Sequence, residues 1–234
     1  MKTAIITGAG SGIGQAAALL LAKEGFRLGL VGRRLAALED TAATLRQAGA
    51  ESWTGALDVG DETAVNIFVS QAASQYGKLD LLVNCAGIFQ MKSFEKTSRA
   101  LWDETLSANL TGAFIFSKAV WPYIAGGQII HVSSVAGVEP YAGCAAYSAT
   151  KYGLIGLSEV LALEGKKRSI RVHVVCPGNT ETPIWGDQAP PQVQARMLRP
   201  EQVAEVIRWL AISPPQVSFD PVVVRPSANP WDAR

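Results

Sequence analysis

Two hydrophobic periods take turns along this chain. Ile13, Ala16, Ala17, Leu20 and Leu21 fall at i, i+3, i+4, i+7 and i+8, the stripe of a helix that packs on one face. Just before them, Ala4-Ile5-Ile6 is a short unbroken apolar run, the pattern of a strand covered on both sides. The exchange then repeats. After Gly25 the pattern predicts a strand over 27–31, a helix over 35–48 closed by Gly49, and a strand over 51–57. Asp61 is placed to cap a helix carrying Val65, Phe68, Val69, Ala72 and Tyr76, and 79–83 follows as a buried strand. One long helix is predicted over 99–123, with Asn109 as a polar kink inside it and Pro122 near its end. Strands over 128–132, 170–175 and 220–224 alternate with helices over 147–166 and 200–212. Pro200 opens the last helix, where its missing N–H costs nothing.

About seven strands exchanging with about six helices predict an α/β chain: a doubly wound, Rossmann-type parallel sheet with helices on both faces. No repeat, low-complexity tract or linker divides residues 1–234, so a single domain is expected. Composition agrees, because 48% hydrophobic and 18% charged residues suit a packed core and exclude a disordered chain. A net charge of +1, with both signs interspersed, leaves no electrostatic footprint for nucleic acid. The basic run Lys166-Lys167-Arg168 is read as a solvated helix end. No apolar stretch approaches the ~20 residues of a membrane helix, and no targeting segment is expected ahead of the first strand. Cys85, Cys144 and Cys176 lack metal-ligand spacing, so no metal is expected, and reduced thiols point to the cytoplasm. His131 and His173 sit inside apolar strand-like runs and are read as structural.

In a doubly wound sheet, ligands bind beyond the carboxyl ends of the strands. The unusual residues of this chain collect there. Thr7-Gly8-Ala9-Gly10-Ser11-Gly12-Ile13-Gly14 joins the first strand to the first helix. Glycines let a backbone turn tightly and approach a ligand, and the free N–H groups of a helix's first turn favour a phosphate. Asp58-Val59 follows the third strand, Asn84-Cys85-Ala86-Gly87 the fourth, Ser133-Ser134 the fifth, and residues 177–182 the sixth. Tyr147 and Lys151 stand four apart on a predicted helix and so share a face. A phenol with pKa ~10 is a poor acid or base at neutral pH, and a nearby ammonium is expected to bring it down.

In these pieces the chain closely resembles the short-chain dehydrogenase/reductase family, in its Thr-Gly-x-x-x-Gly-x-Gly branch, over essentially its whole length. Thr7 to Gly14, Asp58, Asn84-Cys85-Ala86-Gly87, Asn109, Ser134, Tyr147, Lys151 and Pro177-Gly178 with Thr182 stand in the family's order and spacing. The departure is Cys85 where the family usually has asparagine, and little consequence is expected from it. The resemblance implies a nicotinamide-dependent enzyme acting on CH–OH groups. Tyr147 would exchange a proton with the carbonyl or alcohol oxygen, and Ser134 would hydrogen-bond that oxygen. Lys151 would hold the nicotinamide ribose and lower the Tyr147 pKa, with Asn109 anchoring a water relay through Lys151. Gly8, Ser11, Gly12, Ile13 and Gly14 would cradle the pyrophosphate, and Asp58 with Val59 would take the adenine. Asn84, Ala86 and Gly87 would form the floor under the adenosine ribose. Pro177, Gly178, Thr180 and Thr182 would face the nicotinamide side. The resemblance also implies a homodimer or homotetramer.

An acidic residue at the end of the second strand binds the ribose 2′-OH of NAD, whereas an arginine there accommodates the 2′-phosphate of NADP. Gly32 takes the acid's place here and Arg33-Arg34 follows, so NADP(H) is expected ahead of NAD(H), with Arg33 the main contact. The expected substrate is a small-to-medium carbonyl compound or its alcohol. Its walls are predicted from Phe89, Gln90, Met91 and residues 135–144, under a short lid over 183–199 holding Trp185, Pro190, Pro191 and Met197. Gln90 and Glu139 are the polar exceptions in that lining. The ending over 220–226 resembles family members acting on 3-hydroxy acids and related alcohols. The alternatives are an NAD(H)-dependent enzyme of the family, including a 3-hydroxy acid or 3-oxoacyl reductase, and a non-catalytic dinucleotide-binding regulator. A non-catalytic binder would have no use for Tyr147.

Overall fold

The computed structural model describes residues 1–231. Seven strands form one parallel sheet: β1 (Lys2–Thr7), β2 (Phe26–Gly32), β3 (Ser52–Ala56), β4 (Leu81–Asn84), β5 (Gln128–Val132), β6 (Arg171–Pro177) and β7 (Val222–Val224). Their order is β3-β2-β1-β4-β5-β6-β7, so the chain reverses direction across the sheet between β1 and β4. Between the strands run α1 (Gly12–Lys23), α2 (Leu35–Gln47), α3 (Glu62–Tyr76), α4 (Arg99–Leu106), α5 (Gly112–Val120), α6 (Ala145–Gly165), α7 (Pro191–Gln194) and α8 (Pro200–Ile212).

Strand periodicity sorts these helices onto two faces. Ala4 and Ile6 of β1 enter a core with Ala17 and Leu21 of α1, Leu38 and Leu45 of α2, and Val203, Ile207 and Leu210 of α8. Ile5, pointing the opposite way, joins Val65, Phe68 and Val69 of α3 and Ile115 and Phe116 of α5. In β4, Leu81 and Val83 go to the first core and Leu82 to the second. The central strands therefore read as unbroken apolar runs because both sides are covered. Thr7 pairs with Val31 on one side and Asn84 on the other, so β1, β2 and β4 finish level at the switch point.

Several local expectations are met, changed or sharpened. The helix expected over 99–123 runs without a gap, but a π turn at Ser107–Thr111 around Asn109 separates α4 from α5, and a 3-10 turn at Trp121–Tyr123 ends it. Arg168 is not simply solvated, because its guanidinium donates to the carbonyls of Trp121 and Pro122 at 2.7 and 3.1 Å. Asp61 caps α3 as expected, accepting from the Ala64 amide at 3.0 Å. His131 is buried between the hydroxyls of Ser117 and Ser158, and burial pushes its pKa down to about 3. His173 is also buried, has neither ring nitrogen hydrogen-bonded, and is pushed down to about 4. Among the described residues no helix is long and apolar enough to cross a membrane, and no group of His, Cys, Asp and Glu could hold a metal ion.

Candidate active site

The turn after β1 is held closed by contacts only glycine allows. A Cβ on Gly14 would stand 2.4 Å from the Gly8 carbonyl oxygen. Gly12 has a φ of +54°, and a Cβ there would stand 2.9 Å from Cγ2 of Thr182, so this turn abuts the segment after β6. Ser11 precedes α1 in an extended conformation and makes no side-chain cap. The first-turn amides of α1 therefore keep their donors for a ligand anion. Thr7 ties the neighbouring strand end in place, its hydroxyl oxygen accepting from the amides of Cys85 and Ala86 at 3.1 Å each.

One cleft of about 1220 Å³ runs from this turn across the ends of the strands. Gly8, Ser11, Gly12, Ile13 and Gly14 line one end of it, beside the exposed Arg33 and Arg34. Ala86 and Gly87 follow, then Ser134, Tyr147 and Lys151, with Pro177, Gly178, Thr180 and Thr182 opposite. No ion pair among the described residues engages Arg33 or Arg34. Asp58 and Val59 line a side cavity of about 110 Å³ shared with Gly32, Arg33 and Gly87. One Asp58 carboxylate oxygen accepts from the Gly60 amide at 2.8 Å.

Two expected site residues stand behind the cleft wall rather than on it. Asn84 is buried, with its carbonyl oxygen 3.5 Å from the Thr7 hydroxyl. Asn109 is buried too; its Oδ1 accepts from the Ile88 amide at 2.7 Å and its Nδ2 donates to the Ile88 carbonyl at 2.9 Å. It thereby grips the strand of chain after Gly87 from both sides, and also donates to Thr150 at 3.3 Å.

Tyr147 and Lys151 share the cleft face of α6, with the Lys151 Nζ 5.5 Å from the phenol ring centre. Nζ donates to the Val132 carbonyl at 2.9 Å, and burial lowers its pKa to about 8. The expected lowering of the Tyr147 pKa is not met: burial drives it up to about 12. The physical reason is that desolvation penalises the buried phenolate, and this outweighs what its neighbours contribute. A hydrogen bond from Ser134 pulls the phenol the other way. Because Ser134 Oγ already accepts from the Ala136 amide at 3.1 Å, its own proton remains to be given to an oxygen in the cleft. Burial also holds the Cys85 thiol up at about 12, so this replacement sits in the site as a neutral group.

On the substrate side the walls are partly as expected. Phe89, Gln90, Met91, Val135, Cys144 and Trp185 line the cleft. Pro190, Pro191 and Met197 do not; Met197 packs with Ala189, Val193 and Trp185 in a small core of the lid itself. Gln188 ties the lid down, accepting from the Met91 amide at 2.7 Å and donating to the Phe89 carbonyl at 3.3 Å. Glu139 is not a free wall charge. It receives two hydrogen bonds from Arg225, at 2.9 and 3.1 Å, and another from the Tyr141 hydroxyl. Residues 225–231, beyond β7, close the mouth of the cleft and were missed by sequence reasoning. Trp231 was their only signal, an aromatic residue in an otherwise turn-like stretch.

Residues 2–192 match the family model described as short chain dehydrogenase. The chain belongs to the short-chain dehydrogenase/reductase family. This dehydrogenase/reductase is similar to the cis-4-hydroxycyclohexanecarboxylate dehydrogenase of Sinomonas cyclohexanicum, 35% identical over 222 residues that cover 90% of this chain and 89% of that protein. A glycine betaine reductase of Emericella nidulans is 32% identical over 240 residues, which are 98% of this chain but 19% of that much longer protein. The solved alcohol dehydrogenase of the archaeon Thermococcus sibiricus, complexed with 5-hydroxy-NADP, matches at a TM-score of 0.90 and 29% identity over 97% of each chain. As a member of this family the chain is an NAD(P)-dependent oxidoreductase acting on substrates of the alcohol and ketone type.

Proposed function

We propose that this enzyme uses NADP(H) to interconvert a small-to-medium carbonyl compound and its secondary alcohol, with Tyr147 as the general acid and base. The observation that carries this reading is convergence. Ser134, which pulls the Tyr147 pKa down against burial, lines the same cleft as Tyr147, Lys151 and the glycine turn, with the Lys151 Nζ 5.5 Å from the phenol ring centre. The cleft fits a dinucleotide phosphate, because the close approach of Gly14 to the Gly8 carbonyl sets the turn tightly against α1, whose first-turn amides have no side-chain cap. Gly32 in the acid's position and the unpaired, exposed Arg33 and Arg34 support a 2′-phosphate.

When bound, the nicotinamide supplies or accepts the hydride. The chain's own residues manage the oxygen. Tyr147, neutral below about 12, gives its proton to a carbonyl oxygen as negative charge develops there. Ser134 donates to the same oxygen and stabilises that charge. Lys151 holds the ribose hydroxyls and lends positive charge, while Asn109 fixes the wall at Ile88 and anchors the water relay to Lys151. Gly8, Ser11, Gly12, Ile13 and Gly14 take the pyrophosphate. Asp58 and Val59 take the adenine, with Asn84, Ala86 and Gly87 beneath the ribose. Pro177, Gly178, Thr180 and Thr182 close on the nicotinamide side. Unpaired cysteines support a cytoplasmic setting. Exposed Phe114, Tyr152 and Leu163 on α5 and α6 support a homodimer or homotetramer, which light scattering would contradict by returning the mass of one chain.

The test is NADPH oxidation across a carbonyl panel with the wild type and Tyr147→Phe. The variant should lose on the order of 10²–10⁴-fold in turnover while still binding NADPH. Turnover undiminished in that variant would sink the mechanism.

A further inference from the structure

Phe89 stands where two walls of the cleft meet. Its ring meets Tyr147 edge-on at 4.8 Å and Trp185 edge-on at 5.2 Å, and Trp185 lies 6.2 Å from Trp231. Since Tyr147 carries the reacting hydroxyl, this row of rings runs outward from the site of proton transfer to the mouth of the cleft. Its members come from four separate segments, and the outer ones are fastened. Trp185 spends its indole N–H on the Thr180 carbonyl at 2.9 Å, leaving only apolar ring surface to a ligand. The segment bearing Trp231 is tied down by the Gly178 amide, which donates to the Val224 carbonyl at 2.7 Å, and by the Arg225–Glu139 pair. That pair also cancels the two charges on this side of the cleft. A ligand here meets flat apolar rings and no unopposed charge.

We propose that the row formed by Phe89, Trp185 and Trp231 is a subsite for a ring on the substrate, and that Trp231 sets the preference for neutral ketones or alcohols bearing an aryl or cycloalkyl group. This rests on the carbonyl–alcohol activity proposed above. Aromatic rings favour edge-on and offset contacts with centres 4.5–7 Å apart, the range these three already occupy, so a substrate ring extends the row. Trp231 is 43% exposed, and a ring laid against it removes that apolar surface from water. A carboxylate in the same place would have to break the Glu139–Arg225 pair or stand beside Glu139, both unfavourable.

The experiment compares wild type with Trp231→Ala on acetophenone, cyclohexyl methyl ketone, butan-2-one and 4-acetylbenzoate, by NADPH oxidation and by tryptophan-fluorescence titration of the NADP⁺-bound protein. The wild type is expected to favour the two neutral ring ketones over both butan-2-one and 4-acetylbenzoate. Trp231→Ala should cut the ring-to-chain ratio of kcat/KM about tenfold, mainly through KM, and weaken ring binding in parallel. Glu139→Gln, which unbalances Arg225, should raise the relative kcat/KM for 4-acetylbenzoate. A ring-to-chain ratio unchanged in Trp231→Ala, or a wild type that prefers butan-2-one, overturns the subsite and leaves the activity standing. Ring ketones that bind through Trp231 without turnover, when the whole carbonyl panel is also inert, overturn the activity and leave the subsite standing.

Discussion

Lys151 is expected to weaken the fold it serves. It is 5% exposed, it gives Nζ to the Val132 carbonyl, and burial brings its pKa from 10.5 down to about 8. A tenfold change in a protonation equilibrium is about 1.4 kcal/mol, so at pH 7 the buried ammonium costs the folded chain roughly 3 kcal/mol. Lys151→Met keeps the length of the stem and removes the charge. It also strands the Val132 carbonyl, which returns about 1–2 kcal/mol of the gain. The variant should therefore be more stable than wild type at pH 7 by about 1–2 kcal/mol in urea unfolding without nucleotide, while its turnover collapses. The sign reverses with pH. Because the folded-state pKa lies below the unfolded one, the unfolded wild type binds more protons between about 8 and 10.5 and its stability rises across that window. Met has nothing to titrate there, so the gap should close and then invert as pH approaches 10.5. A variant less stable than wild type at pH 7, with a gap that does not move with pH, would refute the reasoning.

Other consequences can be checked with single substitutions. Arg33→Ala should weaken NADPH about tenfold or more, as loss of a charge-assisted contact does, and leave NADH nearly untouched; equal losses by calorimetry would count against the cofactor assignment. His173 takes up its proton near 4 when folded and near 6.5 when unfolded, so stability is level above 6.5 and falls below it. His173→Leu should remove that slope, worth about 2 kcal/mol at pH 5, and an unchanged acid slope in thermal melts would contradict the burial of an uncharged ring. Gly14→Ala puts a Cβ at 2.4 Å from the Gly8 carbonyl and should lower Tm by about 5 °C and abolish nucleotide binding. Normal melting and binding in that variant would mean the turn is looser than described.

Period and punctuation made most of the architecture legible. Ala4-Ile5-Ile6 had to be covered on both faces, and the covering helices repeat the i, i+3, i+4 stripe, so a parallel, doubly wound sheet followed before any contact was known. The glycine turn and the Tyr147–Lys151 spacing were equally plain, because each depends on residues close in sequence. The Tyr147 pKa was not legible, since it turns on burial by residues distant in sequence. The C-terminal wall was hidden for a similar reason. Arg225 meets Glu139 across 86 residues, and nothing local to either marks the pairing. Pro190, Pro191 and Met197 looked like pocket lining by composition, but a short lid needs an apolar centre of its own, and Met197 joined it.

The π turn at Ser107–Thr111 has a consequence for how the two halves of the protein are phased. An α-helix advances about 100° per residue, so the one additional residue in a π turn offsets everything after it by about that angle. The buried face of α5, with Phe116 and Val120, is thereby set independently of the face α4 presents, and Asn109 sits at the point where the phase slips. The grip on Ile88 and the packing of the core behind β4 are thus two readings of one angular setting. The widened turn is the vernier that lets both be satisfied by a single rod.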